Sequence, residues 1–228
     1  MSSTRKNTSM KIIEQILSRK NSEIRKPYGY DTPDAVKDFH KNSDIIISEW
    51  NNYVKQTSTT GKPIDELSEA QKHLNEDKKW KAFFVFVYGE FTPDAHKYFP
   101  QTVKLINKWK NELTLVFFSN LEPGKHIPAH NGNNHGVIRA QLGIDIQQPK
   151  TTGLRVEDKI VQLKNKDLFI FDDTFEHEAW NKGSAVRTVL IIDSCKTFPH
   201  FYNIINKYLL SKVKNTKYVQ STLAKLKE

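Results

Sequence analysis

Between Leu113 and Asp193 the chain runs through seven short stretches dense in β-branched and aromatic residues: "LTLVFFSNL", "GVIRAQLGIDI", "LRVED", "KIVQL", "DLFIFDD", "FEHEAW" and "AVRTVLIID". Turn-forming segments such as "EPGKHIPAHNGNN", "QQPKTTG" and "NKGS" punctuate them. Short strands at this spacing, broken by Gly, Pro and Asn, predict an antiparallel sandwich or jelly roll. "WKAFFVFVYGEF", from Trp80, adds another β-like run. Upstream, "TPDAVKDFHKNSDIIISEWNNYVKQ" has a helix start at Thr32 and Pro33, with Val36, Phe39, Ile46, Trp50 and Val54 as its buried positions. "FPQTVKLINKWK" reads as a further helix. The fold class is therefore mainly β with flanking helices, and no internal repeat is present.

The expected organisation is a basic segment over 1–26, one domain over 27–195 (helical to 79, β from 80) and a basic helical segment over 196–228. The charge supports this division. The chain carries +9, but residues 1–26 contribute +5 and 196–228 contribute +6, so the body is close to −2. A nucleic-acid groove in the folded body is thereby disfavoured, although basic ends can still touch phosphates or anionic lipid. A single cysteine, Cys195, excludes a disulfide framework within one chain and is expected to be a small buried residue. No apolar run of about 18 residues is present, and the N-terminus lacks a continuous apolar signal core. The expectation is a soluble, cytoplasmic protein.

Chemistry concentrates in "FIFDDTFEHEAW", Phe169 to Trp180, where an apolar strand meets two aspartates, a threonine and a histidine between two glutamates. A buried polar group without a partner costs about 1 to 3 kcal/mol, so this strand either has a wet face or lines a site. In "GVIRAQLGIDI", period 2 puts Ile138, Ala140, Leu142, Ile144 and Ile146 on one face, and Val137, Arg139, Gln141 and Gly143 on the other. The second face has the character of a cavity wall. Asn181-Lys182-Gly183 suits a three-residue hairpin loop, which would set His177 across from Arg187. His130 precedes the loop leading into the Arg139 strand. Two neutral imidazoles converging in a jelly roll suit a first-row metal with open positions for an organic acid. Arg187 would grip that acid's far carboxylate through paired hydrogen bonds.

The run "FFSNLEPGKHIPAHNGNNHGVIRAQLGI", with "GLRVED" and "LFIFDDTFEHEAWNKGSAVRTVLIID", resembles the aspartyl/asparaginyl β-hydroxylase family of Fe(II)/2-oxoglutarate-dependent oxygenases, over roughly Trp80 to Asp193. The resemblance implies a double-stranded β-helix of cupin-like type, with Fe(II), 2-oxoglutarate and O2 as cofactor and co-substrates. It implies His130 and His177 as iron ligands and Ser119 and Arg187 as holders of the 2-oxoglutarate carboxylate. Arg139 matches another arginine of the co-substrate or substrate pocket, and Gln141 stands where members often carry histidine. Gly132 occupies the position of the usual triad carboxylate, which the family similarly tends to lack, and Asp173 is the competing third ligand. Elsewhere, His126 reads as a loop residue, His135 as exposed or touching substrate, and Glu176 and Glu178 as facing solvent or pairing with lysines.

By the same resemblance the reaction is hydroxylation of an unactivated C–H bond. The preferred acceptor is the β-carbon of Asp or Asn in a peptide or protein. A lipid acyl chain is the alternative, and a non-catalytic metal-binding module a third. Two amphipathic segments bear on that choice. Ile12, Ile13, Ile16 and Leu17 share one face of "MKIIEQILSRK", and Phe201, Ile204, Ile205, Tyr208 and Leu209 form a stripe amid seven lysines. The latter is expected to pack on the barrel from Phe201 to Leu210, with peripheral membrane contact through the basic ends as the competing outcome.

Overall fold

The structure, a computed structural model, describes residue 15 and residues 19–227. The expected amphipathic element at Ile12, Ile13, Ile16 and Leu17 lies outside the described residues. After a helical stretch over residues 19–24 come helices α1 (Asp34–Lys41) and α2 (Ser43–Thr57), interrupted at Asn42. A short strand β1 (Lys62–Pro63), β2 (Trp80–Val87) and β3 (Glu90–Phe91) follow, and α3 (Pro100–Trp109) takes proline at its first turn. Eight strands then run in succession: β4 (Leu113–Leu121), β5 (His126–His130), β6 (Val137–Ile146), β7 (Thr152–Val156), β8 (Lys159–Val161), β9 (Leu168–Phe171), β10 (His177–Asn181) and β11 (Arg187–Cys195). Two helices, α4 (His200–Val213) and α5 (Lys217–Lys225), close the chain.

The strands form two antiparallel sheets. The seven-stranded one has the order β1-β2-β4-β11-β6-β9, with β3 beside β2, and the four-stranded one the order β5-β10-β7-β8. The last eight strands thus cross back and forth between the sheets, with only β7 and β8 consecutive in one sheet, which is the winding of a double-stranded β-helix. Because side chains alternate along a strand, the large sheet has two apolar faces. Val116, Phe118, Ile138, Ala140, Leu142, Leu190 and Ile192 point outward under Val36, Phe39, Ile46 and Trp50 of α1 and α2. Trp50 stacks on Phe118 at 4.4 Å between ring centroids. Buried Glu49 accepts hydrogen bonds from the first backbone N–H groups of α3, at Gln101 (2.6 Å) and Thr102 (3.0 Å). A carboxylate there satisfies donors that a helix start leaves open. Phe84, Phe117, Val189 and Ile191 point inward against Ile127, Leu154, Val156 and Ala179 of the small sheet.

Several expectations are corrected. Asn181-Lys182-Gly183 is no hairpin turn, because β10 pairs with β5 and β7 while β11 pairs with β4 and β6. The segment instead carries the chain from the small sheet to the large one. The Asn181 amide ties that crossing by donating to the carbonyls of Leu121 and Ala185, both at 2.8 Å. Ile146 does not share the face of Ile138–Ile144, since a bulge opposite Thr188 and Val189 turns it inward beside Arg187. Cys195 is only half-buried. Glu176 faces solvent as expected, but it and Glu178 pair with Arg155 rather than with lysines, and His126 joins Glu178 at 2.7 Å. The stripe from Phe201 to Leu210 divides: Leu209 and Leu210 are buried, but Phe201 is 65%, Ile204 69% and Tyr208 47% exposed. Among the described residues no helix is long and apolar enough to cross a membrane.

Candidate active site

His130 ends β5 and His177 begins β10, and the two residues are direct partners across the small sheet. Their rings lie 4.2 Å apart between centroids. Each ring is oriented by its own backbone two residues earlier: His130 Nδ1 meets the Pro128 carbonyl at 2.8 Å and His177 Nδ1 meets that of Phe175 at 2.9 Å. With Nδ1–H donating to a carbonyl, each ring keeps its lone pair on Nε2, the form in which imidazole ligates metal. Burial disfavours protonation of both. His130 is lowered chiefly by desolvation, and His177, desolvated and beside His130, falls to about 3. Two neutral nitrogen donors on adjacent strands fit a first-row metal.

Among the described residues no cluster of three or more His, Cys, Asp or Glu side chains is placed to hold a metal. The position two residues after His130 shows why. A Cβ on Gly132 would come within 2.5 Å of the Asp173 carboxyl, and the Gly132 N–H donates to the Asp173 carbonyl at 2.7 Å. A side chain there has no room, because the Asp173 carboxylate already fills the space. Asp173 in turn ion-pairs with Arg139 at 3.1 Å, while its Oδ1 is buried with no hydrogen-bond partner. Burial pushes the Asp173 carboxyl up against the pull of Arg139.

Arg187, Ser119 and Gln141 all project from the inner face of the large sheet. The Arg187 guanidinium is 3% exposed, donates to Gln141 Oε1 at 3.0 Å, and has no carboxylate partner among the described residues. Burial alone lowers its pKa to about 10. The Ser119 hydroxyl accepts from Trp80 Nε1 at 2.9 Å. Arg139 presents the opposite case. It donates from Nε and Nη2 to both oxygens of Asp193, at 2.8 and 2.7 Å, and also meets Asp173. Burial works against its charge, but the two carboxylates outweigh that and hold its pKa above the ordinary value.

A cavity of about 690 Å³ opens beside this constellation. Its wall includes His130, His177, Arg139, Asp173 and Asp193, then passes to Leu115, Val87, Phe84, Leu74, Leu210 and Val219. Arg187, Ser119 and Gln141 are buried and form no part of that wall. Sequence reasoning missed Asp193 and Trp80. The signal for Asp193 was available, since it shares strand parity with Arg187 and so had to face inward.

Residues 40–197 match the Aspartyl/Asparaginyl beta-hydroxylase family. The chain is 30% identical over 215 residues to the ornithine lipid ester-linked acyl 2-hydroxylase of Rhizobium tropici, covering 93% of this chain and 76% of that protein. It is 27% identical over 164 residues to the aspartyl/asparaginyl beta-hydroxylase of Homo sapiens, covering 70% of this chain but only 21% of that one. Among solved structures a Pseudomonas putida prolyl-4-hydroxylase aligns with a TM-score of 0.43 at 13% identity, over 68% of this chain and 88% of the other. The chain belongs to the aspartyl/asparaginyl β-hydroxylase family.

Proposed function

We propose that this protein is an Fe(II)/2-oxoglutarate-dependent dioxygenase that hydroxylates the acyl chain of a lipid. His130 and His177 would hold the iron through Nε2. Arg187 would bind the distal carboxylate of 2-oxoglutarate, with Ser119 and Gln141 completing the hydrogen bonds. A buried guanidinium without a counter-charge is costly, and a dicarboxylate co-substrate supplies the missing partner through a bidentate pair. Bound iron, 2-oxoglutarate and O2 together yield succinate and CO2 and place one oxygen atom in a substrate C–H bond. The chain's own residues orient the reactants and keep water out.

The observation favouring an acyl chain over a peptide Asp or Asn is the cavity wall. Beyond the histidines its one cationic side chain among the described residues is Arg139, already held by Asp193 and Asp173, while Leu115, Val87, Phe84, Leu74 and Leu210 offer apolar contact. An aspartate substrate would bring a carboxylate to a wall with no unpaired cation, whereas methylenes gain about 0.8 kcal/mol each on burial. Similarity to an acyl hydroxylase, at 30% identity over 93% of the chain, supports the same reading.

The test is succinate release with Fe(II) and 2-oxoglutarate, followed by mass spectrometry of diacyl amino lipids and of Asp/Asn peptides offered separately. One added oxygen on the lipid acyl chain is expected, and His130→Ala or His177→Ala should abolish it. Oxygen appearing only on the peptide would return the assignment to the β-carbon of Asp or Asn.

A further inference from the structure

Helix α4 has two unlike faces. One side contributes Asn206, Leu209, Leu210 and Val213 to the cavity wall. The other presents Phe201, Ile204 and Tyr208 to solvent, three of the five exposed large hydrophobic side chains among the described residues. At 100° per residue these three fall on one stripe, with Lys212 in its line and Lys207 along its edge. Lys212 Nζ lies 5.0 Å from the Tyr208 ring centroid.

The charge along this part of the chain has one sign. From residue 196 to 227 there are seven lysines and no acidic residue. Lys196, Lys214 and Lys225 are engaged by Asp172, Glu90 and Glu69. Lys207, Lys212, Lys217 and Lys227 are exposed and have no ion pair among the described residues. An apolar stripe bordered by unpaired lysines complements the interface of an anionic bilayer, where aromatic and aliphatic side chains enter the headgroup boundary and ammonium groups stay at the phosphates.

We infer that the outer face of α4 docks the protein on an anionic membrane surface, so that the helix forms a partition between the bilayer and the cavity. This rests on the acyl-chain reading for its purpose, but not for its test. Docking here would let an acyl chain pass from the bilayer to the histidine pair without crossing bulk water.

Binding is measured on the full chain without iron or 2-oxoglutarate, by co-sedimentation with vesicles of equal parts phosphatidylglycerol and phosphatidylcholine. The protein is expected to bind these vesicles, to bind pure phosphatidylcholine far less, and to weaken with added salt. Phe201→Ser/Ile204→Ser should weaken binding at least tenfold. Lys207→Ala/Lys212→Ala should weaken it about 30-fold, since each lysine near such a surface is worth about 1 kcal/mol. Ile160→Ser, at an exposed apolar position on the barrel, should bind as the parent does. All these positions are exposed, so the fold should survive, which circular dichroism checks. Failure of the parent to bind, or equal loss in the Ile160 control, overturns the proposal. So does a dimer in light scattering that Phe201→Ser/Ile204→Ser dissociates, because a second copy would then own the face. If vesicles are bound but only peptides are hydroxylated, the acyl-chain reading fails while the docking surface stands.

Discussion

Arg139 and Arg187 project from the same inner face of the large sheet, yet among the described residues one is held by two carboxylates and the other by none. Asp193 and Asp173 neutralise Arg139 within the protein, and the resulting ion cluster braces the cavity wall. Arg187 has only an amide oxygen for company, and its charge is left for a ligand to meet. Residue type and sheet position are shared, so what separates structural from ligand-binding arginine is the supply of counter-charge. A buried cation that nothing in the fold compensates is a stronger pointer to an anionic ligand than a cleft-lining one already paired.

The largest effect bearing on this contrast should come from the histidines near Arg139. The His177 pKa is about 3 in the folded protein against about 6.5 unfolded. Between those values the unfolded chain binds a proton that the native state refuses. Stability is therefore complete above pH 6.5 and falls as pH drops, by up to about 5 kcal/mol near pH 3. Urea unfolding of the metal-free protein should show this acid limb, flattened in His177→Gln. Superimposable limbs would mean that the pocket is already wet.

Next in size is Arg139→Ala, expected to destabilise the protein by about 3 to 5 kcal/mol because Asp173 and Asp193 are left buried without their partner. A stability change below about 1 kcal/mol, accompanied by lost 2-oxoglutarate binding, would make Arg139 a ligand residue and erase the contrast. Arg187→Ala should do the reverse. Affinity for 2-oxoglutarate should fall by about 2 to 5 kcal/mol, at least 30-fold, with unfolding midpoint unchanged or higher since an uncompensated cation is gone. Calorimetric titration and thermal unfolding on one preparation read both. Arg187→Lys should also bind poorly, because an ammonium cannot reproduce the planar fork.

The smallest effect is expected at Asp173. Its carboxylate fills the space beside Gly132 and belongs to the Arg139 cluster, so Asp173→Asn should leave iron affinity within a few-fold. A loss well beyond about 100-fold, the upper range for disturbing a metal site's supporting groups, would make it an iron ligand after all.

The β runs, their period of two and the inward parity of Arg139 and Gln141 were readable directly, because alternation is a local property of extended chain. So was the basicity of the termini. Pairing was not. "NKGS" has the chemistry of a hairpin loop, and nothing within it tells a turn between paired strands from a crossing between sheets. That choice depends on β4 and β6 already occupying both edges of β11. The bulge that turns Ile146 inward is likewise set by the neighbouring strand rather than by its own sequence. Helix α4 makes the same point with apolar residues alone. Leu209 and Phe201 are equally good core candidates, but only the packing of Phe198 and Ile24 against one side of the helix decides that Leu209 is buried and Phe201 is not. Periodicity specifies that a face exists, and long-range packing specifies what it meets, since hydrophobic burial is non-directional until a partner surface is in place.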